Sequence, residues 1–329
     1  MREQNQQPLH ISGQLSEVAG KDSTTNRWWI YQRERFPFAA HAPLIAAFSF
    51  SAISYSSLLR GRAMIPSLAA AAVAFLSATL SFLQLRLADE FKDFEEDSRY
   101  RPYRPIPRGL IKLKELGWVW VASAAFQLLL ALLLKPPLAV FLVLVWIYLL
   151  LMSKEFFVKS WLKARPFTYM WTHMLIMPLI DFYTTACDWL VAGTRPPDGL
   201  IWFLLVSLFN GMVIEIGRKI RSPQDEEPGV ETYTFVWGRG GAVSAWMAAL
   251  LTTTLFAWIA ASRIGFGRPV LWLLGLLLTA ATSLALLFLR DPKTWRGRWF
   301  EAMSGIWSLL MYLSLGAVPL LLRLFGVRL

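Results

Sequence analysis

Apolar runs about 20 residues long recur through this chain, and they limit its fold more than any other feature. One of them, 116-LGWVWVASAAFQLLLALLL-134, has the length that crosses a bilayer as a helix. In hydrocarbon the backbone must satisfy its own hydrogen bonds, which here means helices. The chain is 56% hydrophobic and 17% charged, beyond the apolar share of a soluble domain. The expected class is all-α: a polytopic membrane protein. Runs and breakers predict nine spans, at 40–59, 65–87, 116–134, 137–153, 168–190, 199–217, 241–261, 269–289 and 301–322. The fourth is short and the fifth carries polar residues.

Basic residues orient this layout. Alternate segments beginning with the N-terminal tail hold 25 Lys and Arg, against 8 in the others. The positive-inside rule then places the N-terminus in the cytoplasm and the C-terminus outside, in a plasma or inner membrane. The net charge of +11 belongs to this bias, so no nucleic-acid partner is expected. A polar start without an apolar core argues against a signal peptide. Cys187 is the single cysteine, which excludes a disulfide framework and a cysteine zinc cluster. Residues 1–26 are expected to be a disordered tail, and 27–329 one membrane domain. That domain opens with 27-RWWIYQRERFPF-38, an interfacial segment best read as a snorkelling anchor.

Charge then concentrates in two places. The stretch 88-ADEFKDFEEDSRYRPYRPIPRG-109 follows the second span, and 215-EIGRKIRSPQDEEPGVETYTFVWG-238 follows the sixth, on the same predicted side. If the second span continues as a helix, Glu90, Asp93 and Asp97 lie within about 60° on one face. Like charges at that spacing repel unless a cation arrives. Magnesium suits such carboxylates together with phosphate oxygens, and the arginines that follow suit phosphate itself. A solvated run touching lipid headgroups is the alternative, and the carboxylates and the second cluster count against it. Within the fifth span, His173 and Asp181 could line a pocket, hold a cation, or form one buried polar pair. Asn210 suits an interhelical hydrogen bond better than a cavity. Positive-inside bias explains Lys159, Lys163 and Arg165, with phosphate contact open to one or two of them.

These residues resemble the UbiA superfamily of intramembrane prenyltransferases. That family folds as nine helices around a central cavity, with aspartate-rich motifs after helices 2 and 6. Its first motif is N-D-x-x-D-x-x-x-D with R-P-x-P-x-G shortly after. Here 89-DEFKDFEED-97 puts Asp89 in the Asn place and Glu90 in the first Asp place, keeps Asp93 and Asp97, and is followed by 104-RPIPRG-109. The second motif departs from the pattern: Glu215 takes its first place, Arg218 and Lys219 fall where the next carboxylate belongs, and Glu231 replaces a lysine.

The resemblance implies magnesium held among Asp89, Glu90, Asp93, Asp97, Glu215 and Asp225. Glu90, Asp93, Asp97, Glu215 and Lys219 would be catalytic. Lys92, Arg104, Arg108, Lys163 and Arg218 would hold a diphosphate, and Asn210, His173 and Asp181 would line the acceptor pocket. The implied reaction moves a polyisoprenyl group from its diphosphate to an acceptor, often an aromatic ring, through an allylic carbocation. Arg218 and Lys219 would replace one magnesium by fixed charge. The rival expectations are a terpene cyclase that needs no acceptor, phosphoribosyl transfer to polyprenyl phosphate, and a transporter or scaffold.

Overall fold

A computed structural model describes residues 24–326. The tail expected to be disordered falls outside them, apart from its last residues, which open the first helix. The described residues form helices and no strand. In chain order they are α1 Thr24–Arg35, α2 Phe38–Leu59, α3 Leu68–Lys92, α4 Phe94–Tyr100, α5 Leu113–Leu134, α6 Leu138–Ser153 and α7 Lys159–Lys163. After these come α8 Pro166–Met174, α9 Ile176–Trp189, α10 Leu200–Arg218, α11 Tyr233–Arg263, α12 Gly267–Arg290, α13 Thr294–Leu315 and α14 Ala317–Leu324.

Seven helical stretches among the described residues are long and apolar enough to cross a membrane, counting α13 and α14 as one. The protein is an integral membrane protein. The two weakest predicted spans are the ones that fall short. α6 is apolar but has 16 residues, and 168–190 divides at Leu175 into α8 and α9. Nine crossings is therefore the expectation of the sequence, and seven is what length and hydropathy support.

Local chemistry sets several of the boundaries. Ser67 caps α3 by accepting the Ala70 N–H, and Thr232 caps α11 by accepting that of Phe235. α11 bends at Gly238, whose φ of 69° suits a residue without Cβ. α2 sits inside the bundle, packed on α3, α9, α13 and α14. Its inward residues are small and hydroxylic: Ser49, Ser51, Ala52, Ser54, Ser56 and Ser57 are all buried. Small residues let backbones approach closely where no hydrophobic difference drives helices together. α5 and α12 instead turn Leu133, Trp272 and Leu276 outward, as lipid-facing helices do.

Backbones come close at the α13–α14 junction, where a Cβ on Gly316 would lie 2.2 Å from the Ser51 carbonyl oxygen. Gly316→Ala should therefore lower the apparent melting temperature in detergent, by an amount matching about 1–3 kcal/mol of overpacking. The same substitution at Gly275, which has open space, should leave it unchanged.

Candidate active site

The first acidic motif straddles a helix break. α3 ends at Lys92, Asp93 takes a non-helical conformation, and α4 restarts at Phe94. The predicted continuous helix is thus interrupted at the middle carboxylate. Glu90 and Asp97 nevertheless both turn inward, 2% and 3% exposed. Ions buried this deeply need partners, and arginines supply them. Arg35, at the end of α1, donates from Nε to Glu90 at 2.5 Å and lies 4.0 Å from Asp97. Arg104 and Arg101 donate to the two oxygens of Asp97 at 2.6 and 3.1 Å. Arg86, one turn before Glu90 on α3, lies 3.6 Å from Glu90 and 3.8 Å from Asp89.

Asp89 and Asp93 differ from these two. Asp89 has only long ion pairs, at 3.7 Å to Lys92 and 3.8 Å to Arg86. Asp93 makes no side-chain hydrogen bond or ion pair among the described residues. Burial pushes its carboxyl above the usual range; Lys92 opposes this, while Asp89, Asp97 and Glu96 add to it. Glu96 is bound by Lys163, a hydrogen bond that holds its carboxyl below the usual range. Lys163 therefore sits at the rim, as does Arg108, which pairs with Glu34 at 2.9 Å.

The second motif meets the first at the same end of the bundle. Tyr103 of the first loop donates to Glu227 of the second at 3.0 Å, and Gly229 lies flat against the Tyr100 ring. Any side chain at Gly229 would collide with that ring. Glu215, at the end of α10, is clamped by Arg218 at 2.5 Å and Lys219 at 2.9 Å. Asp225 has no ion pair or side-chain hydrogen bond among the described residues. Its neighbour Glu226 braces the loop through Thr232 and Thr234.

Aromatic rings back the charged end. Lys92 donates to the Tyr169 hydroxyl at 2.8 Å, and its ammonium is 5.5 Å from that ring. Lys219 is 5.4 Å from the Tyr233 ring, which stacks on Trp237. Tyr169 stacks on His173 at 3.9 Å. The His173 Nδ1 is 2.8 Å from the Tyr169 carbonyl, which can only accept, so the proton sits on Nδ1. Nε2 keeps a buried lone pair without a partner. Phe156 packs edge-on against His173 from a turn in which Glu155, Phe156 and Phe157 all have positive φ, 47°, 52° and 61°. That turn buries Glu155 with an unpartnered oxygen. Beside Lys92, a crevice of about 290 Å³ opens between α3, α5 and α6, lined by Phe91, Trp120, Leu149 and Lys154.

His173 and Asp181 do not pair. The break at Leu175 separates them, and Asp181 instead joins Ser207, which is 3.1 Å from the Tyr312 hydroxyl. Asn210 accepts from Ser308 at 3.1 Å, the interhelical bond expected of it. Arg35 and Arg86 were not among the predicted site residues. Arg35 lies in the segment read as an anchor, and Arg86 lies at the edge of an apolar run. The i, i+4 spacing of Arg86 and Glu90 was the available signal for the second.

The donor set for a metal therefore divides. Asp97 and Glu215 have both oxygens committed to guanidinium or ammonium groups, and Glu90 has one oxygen committed to Arg35. Among the described residues no three acidic, histidine or cysteine side chains form a cage. Asp89 and Asp93 fit a hard ion that takes one or two carboxylates and completes its shell with phosphate oxygens. Removing Arg35 tests the buried pairing. Arg35→Gln should cost about 3–5 kcal/mol by stranding Glu90, and adding Glu90→Gln should recover most of it. A double-mutant cycle on thermal unfolding reads both values.

Comparison with known proteins agrees with this architecture. The apo structure of a UbiA homolog from Aeropyrum pernix K1 superposes with a TM-score of 0.62 at 14% identity, over 85% of this chain and 98% of that one. A UbiA homolog from Archaeoglobus fulgidus gives 0.54 at 14% identity, over 88% and 98%. No match is found among curated proteins. The sequence model of the UbiA prenyltransferase family matches residues 47–315, which include both charged motifs and the helices that carry them. The chain belongs to the UbiA prenyltransferase family.

Proposed function

We propose that the protein is a magnesium-dependent intramembrane prenyltransferase, moving a polyisoprenyl group from its diphosphate to an aromatic acceptor. Family membership carries prenyltransferase-type activity in general. The observation that supports the specific reading is the meeting of the two motif loops, joined by the Tyr103–Glu227 hydrogen bond and the packing of Gly229 on Tyr100. A transporter would place its ionisable groups at mid-membrane. Here the dense charge gathers at one end, while further along the helices Asp181 bonds to Ser207 and Asn210 to Ser308.

In this reading the diphosphate lies between Lys92 and the Arg218–Lys219 pair, facing the cytoplasm. A magnesium ion held by Asp89 and Asp93, when bound, neutralises charge on the diphosphate oxygens. Lys92, Arg218 and Lys219 stabilise the charge that develops as the allylic C–O bond breaks and its electron pair leaves with the diphosphate. Tyr169 and Tyr233 already present ring faces to ammonium groups, and the same faces suit an allylic cation. The acceptor carbon bonds to that cation and then gives up its proton to the released diphosphate. The unprotonated Nε2 of His173 is positioned to orient a hydroxyl of the acceptor. Buried aromatic walls keep out the water that would quench the cation.

Purified protein incubated with prenyl diphosphates should release diphosphate only when magnesium is present, and an aromatic acceptor should gain the prenyl mass. A cyclic hydrocarbon formed without acceptor would instead mark a cyclase. Lys219→Ala should cost about 100-fold in rate, since it removes a charge facing the leaving group. Asp225→Ala, away from that charge, should cost little; small and equal effects would sink the assignment.

A further inference from the structure

Asp181 lies deep in the bundle and has no task in the chemistry above. It is fully buried within α9, and among the described residues no basic side chain forms an ion pair with it. A carboxylate enclosed in this way needs something to neutralise it, and ionisable groups within membrane helices persist beside a partner. Ser207 on α10 donates to its Oδ2, while Oδ1 is buried without a partner. The Tyr312 hydroxyl of α13 stands 3.1 Å from Ser207 and can supply that serine with a proton in turn.

Asn210 is the next rung between the same two helices. It follows Ser207 by three residues on α10, and its partner Ser308 precedes Tyr312 by four on α13, so the two contacts are neighbours. Asn210 is 1% exposed, and its Nδ2 has no partner. Ser308 has a single proton to share between Asn210 Oδ1 at 3.1 Å and the Ser304 carbonyl at 2.7 Å. Turning the amide over serves both residues: Nδ2 donates to Ser308, and Oδ1 takes the place of the orphaned nitrogen. Three helices then present carboxylate, hydroxyl and amide oxygens around one buried negative charge. We infer that Asp181, Ser207, Asn210 and Tyr312 form a sodium site inside the bundle. One carboxylate balances one monovalent charge, whereas a divalent ion would leave net charge among apolar helices. Hard oxygen ligands set this close favour a small ion over potassium. The ion takes the place of a proton on Asp181, which leaves to solvent, so the two compete. Its effect is to fasten α9 and α13 to α10, the helix that ends beside Glu215. The site stands whether or not the chain transfers prenyl groups.

Thermal unfolding of the full chain in detergent provides the test, in sodium, potassium or choline chloride at equal ionic strength and about pH 8. Sodium should raise the midpoint over choline by about 2–4 °C and then saturate, and potassium should do less. Acidifying the buffer should increase the sodium needed for half the effect, since protons take the same carboxylate. Asp181→Asn, which keeps the shape and removes the charge, should lose the sodium response. Asn210→Ala should need about tenfold more sodium or beyond. Asp198→Asn, at an exposed loop carboxylate, should respond as the wild type does. Equilibrium dialysis of wild type with radioactive sodium gives a reading that no variant's folding can confuse, and should find one ion per chain at about pH 8 and a loss of it in acid. A midpoint equal in all three salts together with no retained sodium would mean that Asp181 holds only a proton, and would overturn the site. An Asp181→Asn variant that still responds to sodium would overturn it as well.

Discussion

The contact between Arg35 and Glu90 governs the charged end of this protein. A carboxylate 2% exposed at the end of a membrane helix cannot keep its charge without a cation in contact. Arg35 provides that contact from a helix lying outside the spans. Meeting this demand fixes much else. α1 is held on the bundle at three points: Arg35 to Glu90, Arg27 to Glu115 on α5, and Glu34 to Arg108 in the motif loop. Tyr31 is buried beneath it with Leu87, Ile111 and Leu116. The ends of α1, α3 and α5 and the arginine loop thereby form one unit, and the α10–α11 loop closes against it through Tyr100 and Gly229.

The legible parts of the sequence were those encoded by length or by local spacing. Long apolar runs declared the spans because a bilayer requires a fixed helix length. The fourth and fifth segments were less legible because α6 is short and Leu175 breaks the next. The carboxylates of the first motif were legible as a cluster; their partners were not. Periodicity along α3 puts Glu90 and Asp93 near each other, yet it says nothing about a cation 55 residues away. Arg35 looked like an anchor because aromatic and basic residues before a span also suit an interface, and the two roles share one composition. His173 and Asp181 show the opposite error. Eight residues apart, they share a face only if the helix is continuous, and the break gives each its own partner.

The turn at Glu155–Phe157 shows a cost that no sequence pattern announces. Left-handed backbone in residues other than glycine costs about 1–2 kcal/mol each. The packing of Phe156 between Tyr148 and His173 offsets part of it, at ring separations of 5.6 and 6.2 Å. Strain of this kind persists where neighbouring structure over-determines it. Here it braces the stacked Tyr169 and His173 from behind, and that stack forms the floor on which Lys92 rests. The rigidity of the aromatic floor and the placement of the ammonium above it are thus one property.

The position of Arg86 has a bearing on how the chain is assembled. α1 precedes α3 in the sequence, but Arg35 and Glu90 can meet only after two spans have entered the bilayer and turned back. Until then Glu90 would be an acidic group at a membrane boundary without its partner. Arg86, one turn away on the same helix, travels with it and provides a provisional counter-charge at every stage of insertion. Docking of α1 then adds the tight contact of Arg35 at 2.5 Å to the loose one of Arg86 at 3.6 Å.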